Sequence, residues 1–295
     1  MLPVVANNLG RVILEAMIGK FFWLNNELRP VAEAVVPADD INFAYGFGVY
    51  EALKVRKGLL YFQELHVDRL LHSAHIIGLE HPYRAADLSH ALSELCRANS
   101  LEDANIKMLL IGAETAEAAR LYIMALAPFF PPRTSYRDGV HTICYQAERP
   151  FPEAKSLSML TSSIAFRSAR RAGAYDALLV DRDGFIREGT RTNLFYCDMA
   201  SKKIIYTPPK YSVLDGVTRR TVIEALNADG IEVVERSLHS RELSKFCGLF
   251  LTSTSSKIIP IASVDSQQVP GSSLTRRALK VYNYYLDRYR ESLEG

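Results

Sequence analysis

Hydrophobic and polar positions change period several times along the chain, and each change marks an element. Leu9, Val12, Ile13, Ala16 and Met17 recur at helical spacing, which predicts a short amphipathic leader helix over residues 1–19, packed on the body or on a partner subunit. From Lys20 the pattern becomes strand-like: Phe21-Phe22-Trp23-Leu24, the turn Asn25-Asn26, and a short run ending at Pro30. After a loop through Pro37-Ala38-Asp39-Asp40 come the strand Ala52-Leu53-Lys54-Val55, the turn Arg56-Lys57-Gly58 and a strand Leu59-Leu60-Tyr61-Phe62. Residues 64–77 turn to helical period with Leu65, Leu70 and Ala74 near one face, and a second helix follows over about residues 86–99. A strand at 106–111 is expected to pair with one at 121–124.

Clustered prolines in Pro128-Phe129-Phe130-Pro131-Pro132-Arg133 cannot continue a helix or a sheet interior, so this stretch reads as a stiff connector. Beyond it the pattern predicts a strand at 142–145, a helix after Lys155 through Ala172, and a strand at 177–180 closed by an Asp183-Gly184 turn. A strand at 193–197, a helix at 218–229 ended by Gly230, and a closing helix at 274–293 complete the chain. The expected organisation is the leader 1–19, a small α/β domain 20–127, a linker 128–134 and a large domain 135–295. Mixed strands and helices in two unequal parts give an α+β (mixed α/β) fold.

Composition narrows the function. The 295 residues are 48% hydrophobic and 23% charged, ordinary for a soluble enzyme, and the net charge of +2 supplies no field for nucleic acid or a membrane surface. No stretch reaches the roughly 18 apolar residues of a membrane helix. Arg11 and Glu15 interrupt the first apolar run and spoil a secretory signal, so the expected location is the cytoplasm. Cys96, Cys144, Cys197 and Cys247 show no CxxC or zinc-ligand spacing, which predicts reduced thiols and no metal site.

The chemistry concentrates in the second half. Lys155 is followed 33 residues later by Glu188, and then by two clusters of small residues and hydroxyls, Leu214-Asp215-Gly216-Val217-Thr218-Arg219 and Leu251-Thr252-Ser253-Thr254-Ser255-Ser256. A lysine able to form a Schiff base, a carboxylate able to hold a pyridinium nitrogen and two donor-rich loops are what pyridoxal 5′-phosphate (PLP) requires. No GxxxxGK[ST] or GxGxxG motif offers a nucleotide-binding reading.

The run Glu188-x-Thr190-x-x-Asn193-Leu194-Phe195, then Ile205-x-Thr207, then Leu214-x-Gly216-Val217-x-Arg219, resembles the signature of the class IV aminotransferases, the fold-type IV PLP enzymes. The resemblance runs from about Phe22 to the C-terminus. It implies two domains with the active site at their interface, and a homodimer in which residues are borrowed from the neighbouring subunit. It implies that Lys155 is the Schiff-base lysine and the base that moves the proton, and that Glu188 holds the ring nitrogen. Arg69, in a His66-x-x-Arg69 pair on one helix face, is matched to the phosphate-binding arginine, with Val217, Thr218, Ser253 and Thr254 as further phosphate donors. His66 reads as a packing residue.

Departures from the family pattern fall on the substrate side. The family's Arg-Gly-x-x-Phe-Gly-Asp-Gly is here Ile41-Asn42-Phe43-Ala44-Tyr45-Gly46-Phe47-Gly48, and the Arg-x-His carboxylate trap of D-amino acid members is absent, leaving Arg120 as the arginine of that region. Arg191 stands where the family tends to have a small residue. Phe43, Arg120 and Arg191 are therefore the candidate substrate-binding residues. The implied reaction is transamination between an amino acid, of D- or branched-chain type, and a 2-oxo acid. The rivals are aminodeoxychorismate lyase-type elimination and a non-catalytic PLP-binding relative.

Overall fold

A computed structural model describes residues 17–198 and 203–294. The expected leader helix lies outside the described residues except for its last three, where Met17 bridges to Leu126 in extended pairing.

The first part of the chain builds one antiparallel sheet. Its strands are β1 (Phe21–Leu24), β2 (Glu27–Pro30), β3 (Gly48–Arg56), β4 (Leu59–Leu60), β5 (Ala104–Ile111) and β6 (Arg120–Leu126), in the order β2-β1-β6-β5-β3-β4. Between them run α1 (Ile41–Ala44), α2 (Gln63–Ile76) and α3 (Ala85–Ala98). Side chains alternate across β3. Val49, Leu53 and Val55 enter the core with Leu70, Ala74, Leu88, Leu92 and Leu95 of α2 and α3. Tyr50, Ala52, Lys54 and Arg56 point the other way, and in the β3–β5 register Tyr50 faces Leu109, Ala52 faces Lys107 and Lys54 faces Asn105.

The second part opens with α4 (Arg133–Arg137) and β7 (Val140–Gln146). It continues through α5 (Leu160–Arg171), β8 (Asp176–Val180), β9 (Phe185–Gly189), β10 (Asn193–Asp198), β11 (Ile204–Thr207) and α6 (Val217–Ala228). Then come β12 (Glu232–Glu235), β13 (Leu238–His239), β14 (Phe246–Ser253), β15 (Lys257–Val264), β16 (Gln267–Gln268) and the long α7 (Ser273–Glu294). The sheet order is β12-β11-β10-β14-β15-β7-β8-β9-β13, and a further pairing of β9 with β10 closes six of these strands into a ring. β7 and β8 are parallel, which demands a crossover, and that crossover carries both Lys155 and α5.

Three local expectations change. The strand at 59–62 stops at Leu60, because Phe62 takes a left-handed φ of 54° and starts α2. The linker expected over 128–134 gives up its last two residues to a helix, since α4 begins at Arg133 with Pro132 as its N-cap. The helix after Lys155 begins only at Leu160. The turn at Phe62 also fastens the two sheets together. Its N–H donates to the Tyr289 hydroxyl at 3.0 Å, its ring stacks on Tyr289 at 4.1 Å, and Tyr61 and Phe62 share a core with Val217, Phe250 and Tyr282. Phe62→Ala should therefore cost about 3–5 kcal/mol in urea unfolding, a loss that a mere surface turn would not show.

Candidate active site

Lys155 lies on an extended stretch laid against the start of β3. Tyr50 N–H donates to the Lys155 carbonyl at 2.9 Å, and Leu157 N–H donates to the Gly48 carbonyl at 2.8 Å. The Lys155 N–H donates to Ser73 Oγ of α2 at 3.1 Å. Its backbone is thus pinned by a strand and a helix of the other sheet, while the side chain enters a cavity of about 340 Å³ between the sheets. There the ammonium lies 4.5 Å from the centre of the Tyr50 ring and forms no ion pair among the described residues.

Three polar residues of α2, His66, Arg69 and Ser73, share one face at i, i+3 and i+7 and are all buried. Glu51, on the helix-facing side of β3, explains why. Its carboxylate accepts from Arg69 Nε at 2.6 Å and Arg69 Nη2 at 2.9 Å, and His66 Nδ1 lies 2.8 Å away. Burial alone would raise the Glu51 carboxyl, but the Arg69 guanidinium and the His66 contact hold it well below the usual carboxylate range. Burial in turn pushes His66 below its ordinary value. Two nitrogens of the Arg69 fork are thus engaged with Glu51, and the third, Nη1, reaches the Asp215 carbonyl at 3.3 Å beside the cavity. Glu51 went unassigned in the sequence, where a carboxylate inside a strand pattern gives no sign of its helix partners.

Opposite Arg69 lies the N-terminus of α6. Gly216 is its N-cap and supplies no capping side chain, which leaves the first-turn N–H groups of Val217 and Thr218 to the cavity. Gly216 is required by close approach: a Cβ there would stand 2.1 Å from Asn193 Oδ1. On the facing hairpin, Thr252 and Ser253 end β14 and residues 254–256 turn into β15. The buried Thr252 Oγ1 has no hydrogen-bond partner. Two helix N–H groups, an arginine and an orphaned hydroxyl around one end of the cavity make an oxyanion cradle.

Glu188 sits at the seam of the ring, paired with Asn193 across the β9–β10 turn. It is 5% exposed and lines a second cavity, of about 220 Å³, behind the first. Arg149 Nε donates to its Oε1 at 2.7 Å, and Leu214 N–H donates to Oε2 at 3.1 Å. Arg149 also donates to the carbonyls of Ala154, at 3.0 Å, and Pro152, so one guanidinium ties Glu188 to the segment immediately before Lys155. The sequence offered no signal for Arg149, whose partner is 39 residues away. Asp176 holds the intervening turn: it accepts from Thr192 Oγ1 at 2.9 Å, from Thr190 N–H at 3.2 Å and from Thr190 Oγ1. Burial raises the pKa of Tyr175, beside Asp176, and its ring also lines the cavity.

The substrate-side candidates separate. Arg191 reaches the cavity wall, with its guanidinium 3.9 Å from the centre of the Phe166 ring. Arg120 is drawn away by an ion pair with Asp40, the N-cap of α1, and Phe43 on α1 faces outward, so neither lines this chain's cavity. Among the described residues no group of metal-ligating side chains comes together.

Two measurements follow from the buried pair. Arg69→Ala removes the guanidinium from a buried carboxylate and leaves Glu51 only His66 and the Ala52 N–H, so it should lower stability by about 3–5 kcal/mol in addition to weakening anion binding. A variant as stable as the parent would mean that water reaches Glu51. Folded His66 and Glu51 both bind protons less readily than their ordinary values of 6.5 and 4.5. The unfolded chain therefore takes up more protons, and stability should fall with pH first below about 6.5 and again below about 4.5. A urea midpoint that is flat from pH 7 to 5, or a His66→Gln variant with the same upper limb, would remove His66 from this account.

The donor set fits PLP. Arg69, Val217, Thr218 and the residue 252–255 hairpin suit a phosphate, and the Lys155 amine stands free in the same cavity. Glu188 holds only two of the roughly four donors a carboxylate can accept. The family model for amino-transferase class IV matches residues 48–264. A putative branched-chain-amino-acid aminotransferase of Methanocaldococcus jannaschii is 30% identical over 90% of this chain and 95% of its own length. A D-alanine aminotransferase of Bacillus licheniformis is 30% identical over 83% and 88%. The crystal structure of a branched-chain aminotransferase from Thermoproteus uzoniensis superposes with a TM-score of 0.81 at 28% identity, covering 90% of this chain and 94% of that one. With a matched model spanning most of its length and relatives alike from end to end, the chain belongs to the class IV aminotransferases, enzymes that work with PLP.

Proposed function

We propose that Lys155 is the catalytic amine of this aminotransferase, with Glu188 at the cofactor's ring nitrogen and Arg69, Val217, Thr218, Ser253 and Thr254 around its phosphate. The carrying observation is the position of Lys155 Nζ: free of any described ion pair, against the Tyr50 ring, in the cavity that also holds the oxyanion cradle. Bound PLP supplies a ring that withdraws electrons from the substrate's Cα. The Lys155 amine removes the Cα proton, and the face of Tyr50 favours the ammonium that results. Arg149 and the Leu214 N–H donate to the two oxygens of Glu188 and fix the direction of its carboxyl group. Arg191 binds the substrate carboxylate from the cavity wall.

The relatives named for branched-chain amino acids and for D-alanine are equally similar to this chain, and both substrate classes belong to the proposal. We assign Phe43 and Arg120 to the cavity of a second copy. In support, Val35, Ile41, Phe43 and Tyr45 form an exposed apolar stretch, and the Arg120–Asp40 pair fixes the segment that presents it. Homodimerisation follows from the same reading, and four free cysteines suit the reducing cytoplasm.

Borohydride treatment of the PLP-loaded protein should fix the cofactor to Lys155 and to no other lysine in peptide mapping. With L-leucine and D-alanine as donors and 2-oxoglutarate as acceptor, Lys155→Ala should lose at least about 10²- to 10⁴-fold in kcat, the range a positioned base contributes. A label on another lysine would overturn the assignment, and many turnovers of pyruvate release from aminodeoxychorismate, without any 2-oxo acceptor, would point to elimination. Glu188→Gln should lower kcat by more than about tenfold, the equivalent of ~1.4 kcal/mol of barrier, and a smaller loss would detach Glu188 from the ring nitrogen. Arg191→Ala should raise KM for amino acids and spare amines without a carboxylate, whereas equal losses would leave Arg191 a packing residue on Phe166.

A further inference from the structure

The side of β3 that brings Tyr50 and Ala52 to the cavity continues beyond its lining to Lys54 and Arg56. Lys54 is 7% exposed, yet its ammonium has no hydrogen bond or ion pair among the described residues and lies over the Tyr61 ring, 4.9 Å from its centre. Arg56 donates to the carbonyls of Val55 and Ala104 and lies 4.7 Å over Phe130, with no carboxylate in contact. From the other sheet comes Lys257, which donates to Asn283 Oδ1 at 3.1 Å. Its φ of 57° is a conformation that residues other than glycine adopt only rarely.

Carboxylates act on two members of this group but not on Lys54. Asp103 acts on Arg56 and Asp287 acts on Lys257, but what reaches Lys54 is the repulsion of Lys257 and Arg56. Burial, reinforced by that repulsion, brings the Lys54 ammonium down to about 7. A buried cation facing two others is costly unless an anion joins it. Neutral partners for an anion are adjacent: Asn105 pairs with Lys54 across β3–β5, Ser253 pairs with Lys257 across β14–β15, and both line the cavity.

We propose that Lys54, Arg56 and Lys257 form a second oxyanion site at the junction of the two sheets, separate from the phosphate cradle and open to the cavity through Asn105 and Ser253. Its ligand is a phosphate- or carboxylate-type group. Two sources share that chemistry: the distal anionic group of a substrate seated in the cavity, and a free anion. The substrate source rests on the transamination reading above, while the site itself does not.

The test uses the PLP-loaded protein, so that the cradle is filled, and titrates sulfate at an ionic strength held constant with sodium chloride. The melting temperature should rise by about 2–4 °C at sulfate some tenfold above its Kd. The rise should be larger at pH 6 than at pH 8.5, because Lys54 gains its proton below about 7 while sulfate keeps its charge. Lys54→Met and Lys257→Met should each abolish the sulfate-dependent rise, and at pH 6 Lys54→Met should melt higher than the parent without sulfate. A rise equal in parent and variants, or none in the parent, overturns the site. Turnover then separates the sources. A roughly tenfold fall in kcat/KM confined to 2-oxo acids with a distal carboxylate, seen in Lys257→Met, identifies the substrate's own group. An unchanged ratio alongside a lysine-dependent melting shift identifies a free anion.

Discussion

A carboxylate shut away from the surface organises the site. Glu51 is fully buried in the middle of β3, where Arg69 and His66 of α2 and the Ala52 N–H hold its carboxylate. That ion pair fixes the rotation of α2 on the sheet, which also turns Ser73 toward the Lys155 backbone and the free edge of Arg69 toward the cradle. One strand therefore serves two faces. Its odd positions face the helices, and Tyr50 and Ala52 on the opposite side line the cavity. The energetic logic is asymmetric, because removing either partner strands a charge whereas the intact pair adds little net stability. The arrangement is best understood as a device that sets geometry.

Two further clamps carry the same principle across the cavity. Arg149 links Glu188 to the carbonyls preceding Lys155, so the ring-nitrogen candidate and the amine candidate move as one unit. Asp176 gathers Thr190 and Thr192, and Gly189 beneath them has no room for a side chain, since a Cβ would stand 2.1 Å from Thr192 Oγ1. The turn is thereby stretched over a buried carboxylate, with Arg191 left at its crest against Phe166.

Much of this was readable from the chain, and the failures have physical causes. Long periodic segments such as α2, α3, α6 and α7 were placed to within a few residues, because apolar spacing dictates which face is buried. The Lys155 segment was misread as a helix start, since its extended form is imposed by the edge of β3, about a hundred residues earlier. The β14–β15 hairpin appeared only as a donor loop: its strands are apolar runs buried on both sides, without the alternation that marks a half-exposed strand. Of the site, Lys155, Arg69, Val217, Thr218 and Ser253 meet in one cavity, whereas Glu188 stands behind it and Phe43 and Arg120 lie elsewhere. Glu51 and Arg149 were invisible because each is defined by partners distant in sequence.

The order of strand pairing also bears on how the chain acquires its form during synthesis. Every strand of the first sheet is made by Leu126, so that sheet can close with α2 and α3 while the rest is still being translated. The ring of the second sheet cannot, because β7 finds its neighbour β15 only when Ile261 has emerged to pair with Val140. For that interval the Lys155 segment already has its docking edge on β3 and Ser73, while the ring of strands that encloses it is open. The Lys155 segment thus has a template before its own sheet is complete, and the first sheet serves as the bench on which part of the second is laid down.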